Sequence, residues 1–195
     1  MSIEVVVAGL EAEPEALRAM AALLCDAEQR RAARFAFERE RRRFIVARAQ
    51  LRRLLGARVG AAPESIELQY GPHGKPALGG RFAASGWRFN IAHCNDVAVY
   101  AFSRAGEIGV DVEAMREFAG AEAIAARFFS SAESALGFFE CWTRKEAVLK
   151  ALGCGLSMAL ESFDVSAAVS GGNWRLHNFA PAPGYVAAVA LGHLT

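Results

Sequence analysis

Hydrophobic and polar positions follow two different periods along this chain, and each change of period marks a predicted strand or helix. β-branched residues from Ile3 to Leu10 predict a first strand, and apolar residues at helical spacing predict a helix that begins near Pro14. A second helical pattern runs from Ala27 to Leu55, and Gly56 and Gly60 are expected to end it. The first part of the chain is therefore predicted to form one strand followed by helices.

The rest of the chain combines strands and helices in a similar way. Further strands are predicted where β-branched and aromatic residues are enriched, at Ile66 to Tyr70, Trp87 to His93, Val97 to Phe102, Glu107 to Glu113, Phe163 to Val169, Trp174 to Phe179 and Tyr185 to Leu191. The remaining predicted elements are helices at Ala121 to Phe129 and Ala132 to Leu152, a rigid Gly- and Pro-rich loop at residues 71–76 and a hairpin turn at Gly171-Gly172.

These elements predict an α+β (α/β) fold made of two similar subdomains on one chain. Each half, residues 1–105 and residues 106–195, contains helices beside a small sheet, although no residue-level repeat relates the two halves. A cleft between two such halves is the default place for a ligand.

Composition limits the class of protein. The chain has 195 residues, of which 53% are hydrophobic, so it can fill a sizeable core and is not expected to be disordered. No apolar run approaches the ~20 residues needed to cross a bilayer, and the first residues are acidic where a signal peptide has a basic start. We therefore expect a cytoplasmic protein. The four cysteines form no CxxC pair and are expected to be reduced, mostly buried thiols rather than zinc ligands or disulfides.

The net charge of +1 conceals a cluster of arginines between residues 30 and 58. Such a cluster predicts contact with an anionic partner, while a solvated helix face whose arginine stems cover apolar surface is the plainer explanation. Nucleic acid is disfavoured as the partner, because the aromatic residues are not interleaved with the arginines and no nucleic-acid-binding motif is present.

A strand with two carboxylates indicates a cation site. Alternation along Ile108 to Glu113 sends two valines to one face and the side chains of Asp111 and Glu113 to the other. Neighbouring carboxylates repel each other, so the pair favours a bound cation, and Glu146 could supply a third oxygen ligand. An all-carboxylate set prefers Mg²⁺ or Mn²⁺ to zinc. A solvated strand face is the competing interpretation.

The predicted helix that contains Glu146 carries a second set of candidates. Trp142, Glu146 and Lys150 recur every four residues and share one stripe, but an ordinary helical ion pair worth ~0.3 to 0.5 kcal/mol explains the last two as well. His93, near the end of a predicted strand, could donate to a phosphate, and Lys75 lies in a loop suited to close approach of a nucleotide. A structural histidine and a simple turn lysine are the alternatives.

Taken in order, four motifs resemble those of the 4'-phosphopantetheinyl transferases of the surfactin-synthetase-activating type. They are Gly74-Lys75-Pro76-Ala77-Leu78 for GKPxL, Phe89-Asn90-Ile91-Ala92-His93 for FNxSH, Ile108 to Glu113 for IGxDxE, and Trp142 to Leu156 for WxxKEAxxKxxGxGL. The resemblance extends from about Cys25 to Ser157, and the last predicted strand also looks like that of the family. Four ordered motifs are far more specific than any one of them.

The resemblance implies a pseudo-dimer of two α/β subdomains with coenzyme A between them, and an enzyme that moves 4'-phosphopantetheine from coenzyme A to a serine of an apo acyl, peptidyl or aryl carrier protein. It implies Mg²⁺, or Mn²⁺, on three carboxylates: Asp111, Glu113 and Glu146. Implied coenzyme A contacts are Lys75, Pro76, His93 and Lys150, with Arg31 and Arg43 near the adenosine 3'-phosphate. Glu146, Lys150 and His93 are the implied catalytic residues, and Glu146 or a metal-bound water takes the serine proton. The chain is expected to act as a monomer.

Two positions depart from the family pattern. Ala92 stands where a serine usually precedes the histidine, and Glu28 stands where some members carry a basic residue. Two other functions therefore stay open at this point: a module that binds coenzyme A or a carrier protein without transferring anything, and a Mg²⁺-dependent phosphohydrolase of another family. The phosphohydrolase would account for the carboxylates but not for the GKP and WxxKEA motifs.

Overall fold

The structure is a computed structural model, and it describes residues 3–155, 158–167, 169–170 and 174–192. The helices are α1 (Pro14–Ala21), α2 (Asp26–Ala32), α3 (Glu38–Val59), α4 (Ala121–Phe128), α5 (Ser131–Ser134) and α6 (Phe138–Leu152). The strands are β1 (Ile3–Gly9), β2 (Leu68–Tyr70), β3 (Pro76–Leu78), β4 (Arg88–Cys94), β5 (Val97–Ser103), β6 (Ile108–Ala114), β7 (Val169–Ser170), β8 (Trp174–Phe179) and β9 (Tyr185–Gly192). The predicted Gly171-Gly172 turn and Leu156 lie outside the described residues.

This mixture of helices and small sheets confirms the predicted α+β fold. The strands form a three-stranded sheet in the order β1-β5-β4, a two-stranded sheet of β2 and β3, and a four-stranded sheet in the order β6-β9-β8-β7. The described residues fall into two compact units, one comprising those of 1–7, 70–77 and 86–195 and the other those of 8–69 and 78–85. Because these units interleave along the chain, the subdomain boundary predicted between residues 105 and 106 stays a prediction.

In the larger unit, the four-stranded sheet is covered on both faces. Alternate residues of β6 and β9 pack with Ala92, Val99 and Ala101 of the three-stranded sheet and form one apolar cluster. On its other face the sheet receives α6, whose Cys141, Ala147 and Val148 pack against Ala188 and Ala190 of β9. Residues of β6 and β9 are therefore buried from both sides, and the strand that carries the candidate carboxylates lies between two apolar layers.

The smaller unit is built around α3. Its apolar core joins α2 to α3 through Leu24, Ala32, Ile45 and Ala49. The sequence pattern predicted one helix from Ala27 to Leu55, which is wrong: the chain leaves the helix after α2, and Phe37 has an extended backbone before α3 begins. A single continuous helix could not bring Ala32 into contact with Ile45, whereas two helices packed against each other bury the apolar side of each. Helix α3 also continues through Gly56. It ends at Gly60, whose left-handed φ of 67° terminates the helix.

Two further predictions are wrong in the C-terminal half. The helix predicted from Ala132 to Leu152 is interrupted at Gly137, whose φ of 85° is incompatible with a helix, so a short α5 precedes α6. Of the strand predicted from Phe163 to Val169, residues 163–167 form no strand; a 3₁₀ turn at Leu160–Ser162 precedes them, and β7 begins at Val169. Backbone groups of residues 163–165 bond to buried side chains instead of to a neighbouring strand.

Two smaller points complete the comparison with the predicted elements. The sequence pattern missed β3, which begins at Pro76 inside the predicted rigid loop. Among the residues that the structure describes, no helix is both long and apolar enough to cross a lipid bilayer.

Candidate active site

The site begins with a close approach between a helix and a strand. A Cβ atom at Gly109 of β6 would lie 2.0 Å from the carbonyl oxygen of Ala147 and 2.4 Å from the amide nitrogen of Ala151, both in α6. Only glycine leaves room for the helix backbone there, because any side chain would overlap it. Gly109 thus allows α6 to lie directly on β6, and it brings Glu146 and Lys150 of the helix next to the acidic face of the strand.

Asp111 is the most buried of the three candidate carboxylates. Its neighbours Val110 and Val112 point into the opposite apolar cluster, so its side chain lies on the α6 side of the sheet, as alternation predicted. The residue is 5% exposed and pairs with the Lys150 ammonium, while its second oxygen, Oδ2, is buried without a hydrogen-bond partner. Burial raises the pKa of Asp111 above its ordinary value, although the Lys150 ammonium opposes that rise.

The other two carboxylates share this electrostatic environment. Burial raises the pKa of Glu146, and the charges of Asp111 and Glu113 raise it further against the opposing effect of Lys150. The pKa of Glu113 is raised by burial and by Asp111, although Arg116, 3.7 Å away, opposes the shift. Neighbouring acids therefore disfavour the ionisation of Glu113 and Glu146, which is the situation that a bound cation relieves.

Within the described stretches of the chain, no three side chains among His, Cys, Asp and Glu are already arranged as a metal site. The chemistry of the acidic cluster nevertheless fits Mg²⁺. The unpartnered buried oxygen of Asp111 and the raised pKa values of all three carboxylates indicate that Lys150 and Arg116 balance the negative charge of the cluster only in part. Mg²⁺ keeps several waters and takes one or two protein carboxylates, so a closed cage of side chains is not required.

A cavity of about 280 Å³ opens beside the acidic cluster, entirely within the larger unit. It is lined by residues of the predicted rigid loop, of β4 and of the last turns of α6: His73, Gly74, Lys75, Pro76, Asn90, Ile91, Glu146, Leu149, Lys150, Gly153 and Gly155. Two lysines and one glutamate therefore line the same space. Four residues that the motifs singled out meet here, namely Lys75, Pro76, Glu146 and Lys150.

The remaining predicted residues lie elsewhere. His93 is exposed on β4, where alternation puts it on the same strand face as the cavity residue Ile91, but it does not line the cavity itself. Arg31 and Arg43 belong to the smaller unit. The Arg31 guanidinium lies over the Phe44 ring, 5.2 Å from its centroid, and Arg43 is buried and bonds to Glu40 at 2.8 Å.

Both departures from the family pattern have a structural explanation. Ala92 packs into the apolar cluster between the two sheets, on the strand face opposite Ile91. Glu28 is buried, accepts from the Arg52 guanidinium at 2.6 Å and from the backbone amide of Cys25 at 3.1 Å, and so fastens α2 to α3. The structure therefore gives each of these residues a packing or bonding role inside its own unit.

Sequence reasoning missed three residues that shape the cavity. The Asn90 side chain accepts a hydrogen bond of 2.9 Å from the amide of Val110, which satisfies a backbone donor on β6, the edge strand of its sheet. His73 lines the cavity and approaches Gly155, and Glu107 bonds to Lys75. Asn90 and His73 lie within recognised motifs or beside them, but the contacts themselves join parts of the chain that are distant in sequence.

Comparison with known proteins identifies the family of the chain. The family model described as the 4'-phosphopantetheinyl transferase superfamily matches residues 107–189, and the one described as 4'-phosphopantetheinyl transferase, N-terminal, matches residues 11–105. The chain is 37% identical over 197 residues to the 4'-phosphopantetheinyl transferase HetI of Nostoc sp., covering 92% of this chain and 83% of the relative.

Two more relatives cover less of their own length. The putative 4'-phosphopantetheinyl transferase slr0495 of Synechocystis sp. is 37% identical over 150 residues, which is 71% of this chain and 61% of the relative. The 4'-phosphopantetheinyl transferase psf-1 of Bacillus pumilus is 32% identical over 148 residues, which is 70% of this chain and 61% of the relative.

The chain therefore belongs to the 4'-phosphopantetheinyl transferase superfamily. The family and the enzyme class predicted from the four motifs are confirmed.

Proposed function

We propose that this enzyme transfers the 4'-phosphopantetheine of coenzyme A to a serine of an apo acyl, peptidyl or aryl carrier protein and releases adenosine 3',5'-bisphosphate. The observation that supports this most strongly is the cavity in which Lys75 of the GKP motif meets Glu146 and Lys150 of the WxxKEA motif. Family membership supports the same reaction, since the relatives are named as 4'-phosphopantetheinyl transferases.

The two lysines would bind and orient the diphosphate of coenzyme A. Lys75 and Lys150 line one cavity, and their side chains are partly exposed, at 17% and 34%. Two ammonium donors aimed at one space attract a diphosphate and stabilise the negative charge that builds on its oxygens during transfer. His93, on the neighbouring strand, would assist at a phosphate as a further donor.

Glu146 would take the proton from the serine hydroxyl. Burial is the largest effect on its pKa and raises it, which would make its carboxylate a stronger base than an exposed glutamate. Its position on the cavity wall, one helical turn from Lys150, would allow it to face both the serine and the phosphate that the serine attacks. General base catalysis of this kind typically contributes about 10²- to 10⁴-fold to the rate.

Asp111, Glu113 and Glu146 are the residues that would hold Mg²⁺, or Mn²⁺ in its place. A bound divalent cation would supply electrostatic stabilisation of the phosphate oxygens and remove the repulsion among the three acids. Arg31 and Arg43, in the smaller unit, would contact the adenosine 3'-phosphate. The protein would act as a cytoplasmic monomer, with the predicted subdomains 1–105 and 106–195 contributing coenzyme A contacts and metal ligands respectively.

Transfer can be tested directly by incubating the protein with coenzyme A, Mg²⁺ and a panel of apo carrier proteins of different classes. We expect mass spectrometry to show the addition of phosphopantetheine to a serine of at least one carrier. Glu146→Gln should lower kcat by about 10²-fold or more, because the amide cannot accept the proton.

Glu140→Gln is the matched control, since Glu140 is an exposed residue on the same helix and outside the cavity. Its kcat should equal that of the unchanged protein. Binding of coenzyme A without modification of any carrier would leave a binding module, and release of phosphopantetheine without a carrier would indicate a phosphohydrolase. Either result would overturn the proposed reaction.

A further inference from the structure

Glu107, the residue immediately before β6, lies between two cations. Its Oε2 accepts from the Lys75 ammonium at 2.8 Å, and its Oε1 accepts from the Arg88 guanidinium at 2.9 Å. The side chain of Glu107 is 46% exposed, so this is not a buried structural pair. None of the four motifs assigns a role to Glu107 or Arg88, yet Glu107 bonds to the lysine that lines the cavity and Arg88 bonds to Glu107.

Lys75 is held from three sides. Its ammonium also donates to the carbonyl oxygen of Ala151 at 2.5 Å, in the last turn of α6, where a positive charge is favourable. Its stem lies against Gly153, where an added Cβ would be 3.1 Å from the Lys75 Cδ. An ammonium has three donors, and Glu107 and Ala151 engage two of them. In this inference the third donor would bind an anion in the cavity.

We infer that Glu107 is a positioning residue that holds the Lys75 ammonium at the cavity for the diphosphate of coenzyme A. This inference rests on the proposed function for the identity of the ligand. Without Glu107, the flexible lysine would keep only one of its two fixed acceptors, and binding a diphosphate would require the lysine to be ordered again.

Arg88 explains how a carboxylate can hold Lys75 without cancelling its charge. Two cations and one anion leave this group with a net positive charge, so it still attracts phosphate. Partial burial works against ionisation of Glu107, but the bonds from Lys75 and Arg88 outweigh it and lower the pKa of Glu107 below its ordinary value. Glu107 therefore stays ionised at neutral pH and keeps its hold on Lys75.

The test is a double-mutant cycle with Glu107→Ala and Lys75→Met in the transfer reaction. A charge-assisted hydrogen bond at a partly exposed site predicts that Glu107→Ala raises the KM for coenzyme A about five- to tenfold, with kcat changed less than about twofold. In the Lys75→Met background the same change should raise KM by less than about twofold, because Glu107 acts through Lys75. Glu107→Gln keeps a hydrogen-bond acceptor and should therefore raise the KM for coenzyme A less than Glu107→Ala does.

A second readout needs no transfer at all. An amine-reactive acetylating reagent attacks the nitrogen of a lysine, and the Glu107 carboxylate holds the Lys75 nitrogen in a 2.8 Å hydrogen bond that restricts its movement toward the reagent. Peptide mass spectrometry should therefore show Lys75 acetylated about threefold faster or more in Glu107→Ala. The rate at Lys150 in the same digest is the internal reference, and Glu161→Ala, an exposed acid in a 3₁₀ turn, is the matched control.

The outcomes separate the two ideas. An equal KM increase in the presence and absence of Lys75, a KM that does not change, or an unchanged rate of acetylation at Lys75 would each overturn the positioning role. If the unchanged protein modifies no carrier, the proposed function fails, and the acetylation rates still decide whether Glu107 holds Lys75.

Discussion

Two lysines of helix α6 each pair with a carboxylate from another element, and the two pairs differ in how many of their polar atoms have hydrogen-bond partners. Lys145 is fully buried, pairs with Glu133 at 2.7 Å and donates to the carbonyl oxygens of Leu160 and Phe163, each at 2.8 Å. The oxygens of Glu133 also accept from the amides of Ser130 and Val165, both at 2.8 Å. Both oxygens of this carboxylate and all three ammonium donors have partners, so the Lys145–Glu133 pair fastens α6 to α5 and to the segment 160–165.

The pair five residues along the helix is incomplete. Lys150 is one-third exposed and its partner Asp111 is buried, but Asp111 Oδ2 has no partner and burial raises the pKa of that carboxyl. The sequence distinguishes the pairs poorly, since both combine a lysine of the WxxKEA motif with a distant acid. A satisfied buried pair stabilises the fold, whereas an unsatisfied one beside a cavity indicates a site.

The largest expected effect is the loss of folding stability when the fully bonded Lys145–Glu133 pair is broken. Lys145→Met should lower the free energy of unfolding by about 3 to 5 kcal/mol, because it leaves the Glu133 carboxylate buried without its countercharge. Urea unfolding followed by circular dichroism measures this loss. Lys145→Met with Glu133→Gln removes both charges and should lose less than the sum of the single changes. Strict additivity would mean that the two residues do not act as a pair.

A smaller effect on stability is expected at the incomplete pair. Asp111→Asn removes a buried charge that has an unsatisfied oxygen, and Lys150 can turn to solvent, so the free energy of unfolding should change by less than about 1 kcal/mol. Carrier modification should nevertheless be lost. A large loss of stability would mean that this pair serves the fold rather than the site.

Mg²⁺ gives the same variant a second readout. At about ten times its dissociation constant, Mg²⁺ should stabilise the unchanged protein by about 1.4 kcal/mol, which raises the melting temperature by about 3 to 5 °C. Asp111→Asn should show no such increase. An equal increase in both proteins would remove Asp111 from the metal ligands.

The smallest expected effect is on the chemical modification of Cys141, a cysteine close to the Lys145–Glu133 pair. Cys141 is buried one turn before Lys145, and burial, followed by the charge of Glu133, raises its pKa to about 12. Iodoacetamide at pH 8 should therefore leave Cys141 unmodified in the folded protein while it modifies the exposed Cys25. Lys145→Met should speed the modification of Cys141 several-fold by loosening α6, as peptide mass spectrometry would show. If Cys141 stays equally protected from iodoacetamide in Lys145→Met, the Lys145–Glu133 pair does not control the packing of α6.

Of the four cysteines, Cys141 alone is buried, so the expectation of mostly buried thiols was wrong.

Local patterns in the sequence were sufficient for strand β6 and for the end of α6 at Leu152, although not for its start. Alternation put Asp111 and Glu113 on one strand face and the valines on the other, and the structure agrees. Local patterns failed where backbone groups bond to distant side chains. The expected strand after Phe163 is absent because the carbonyl of Phe163 accepts from Lys145 and the amide of Val165 donates to Glu133.

The sequence by itself determined the family, the mixed fold and the set of residues that could carry chemistry, because motif spacing and strand alternation are properties of neighbouring residues. Tertiary structure alone decided which of those residues meet. Gly109 brings α6 onto β6, Glu107 reaches Lys75 across 32 positions, and one oxygen of Asp111 is left without a partner. Such contacts depend on how distant segments pack, and packing distances are not encoded in local periodicity.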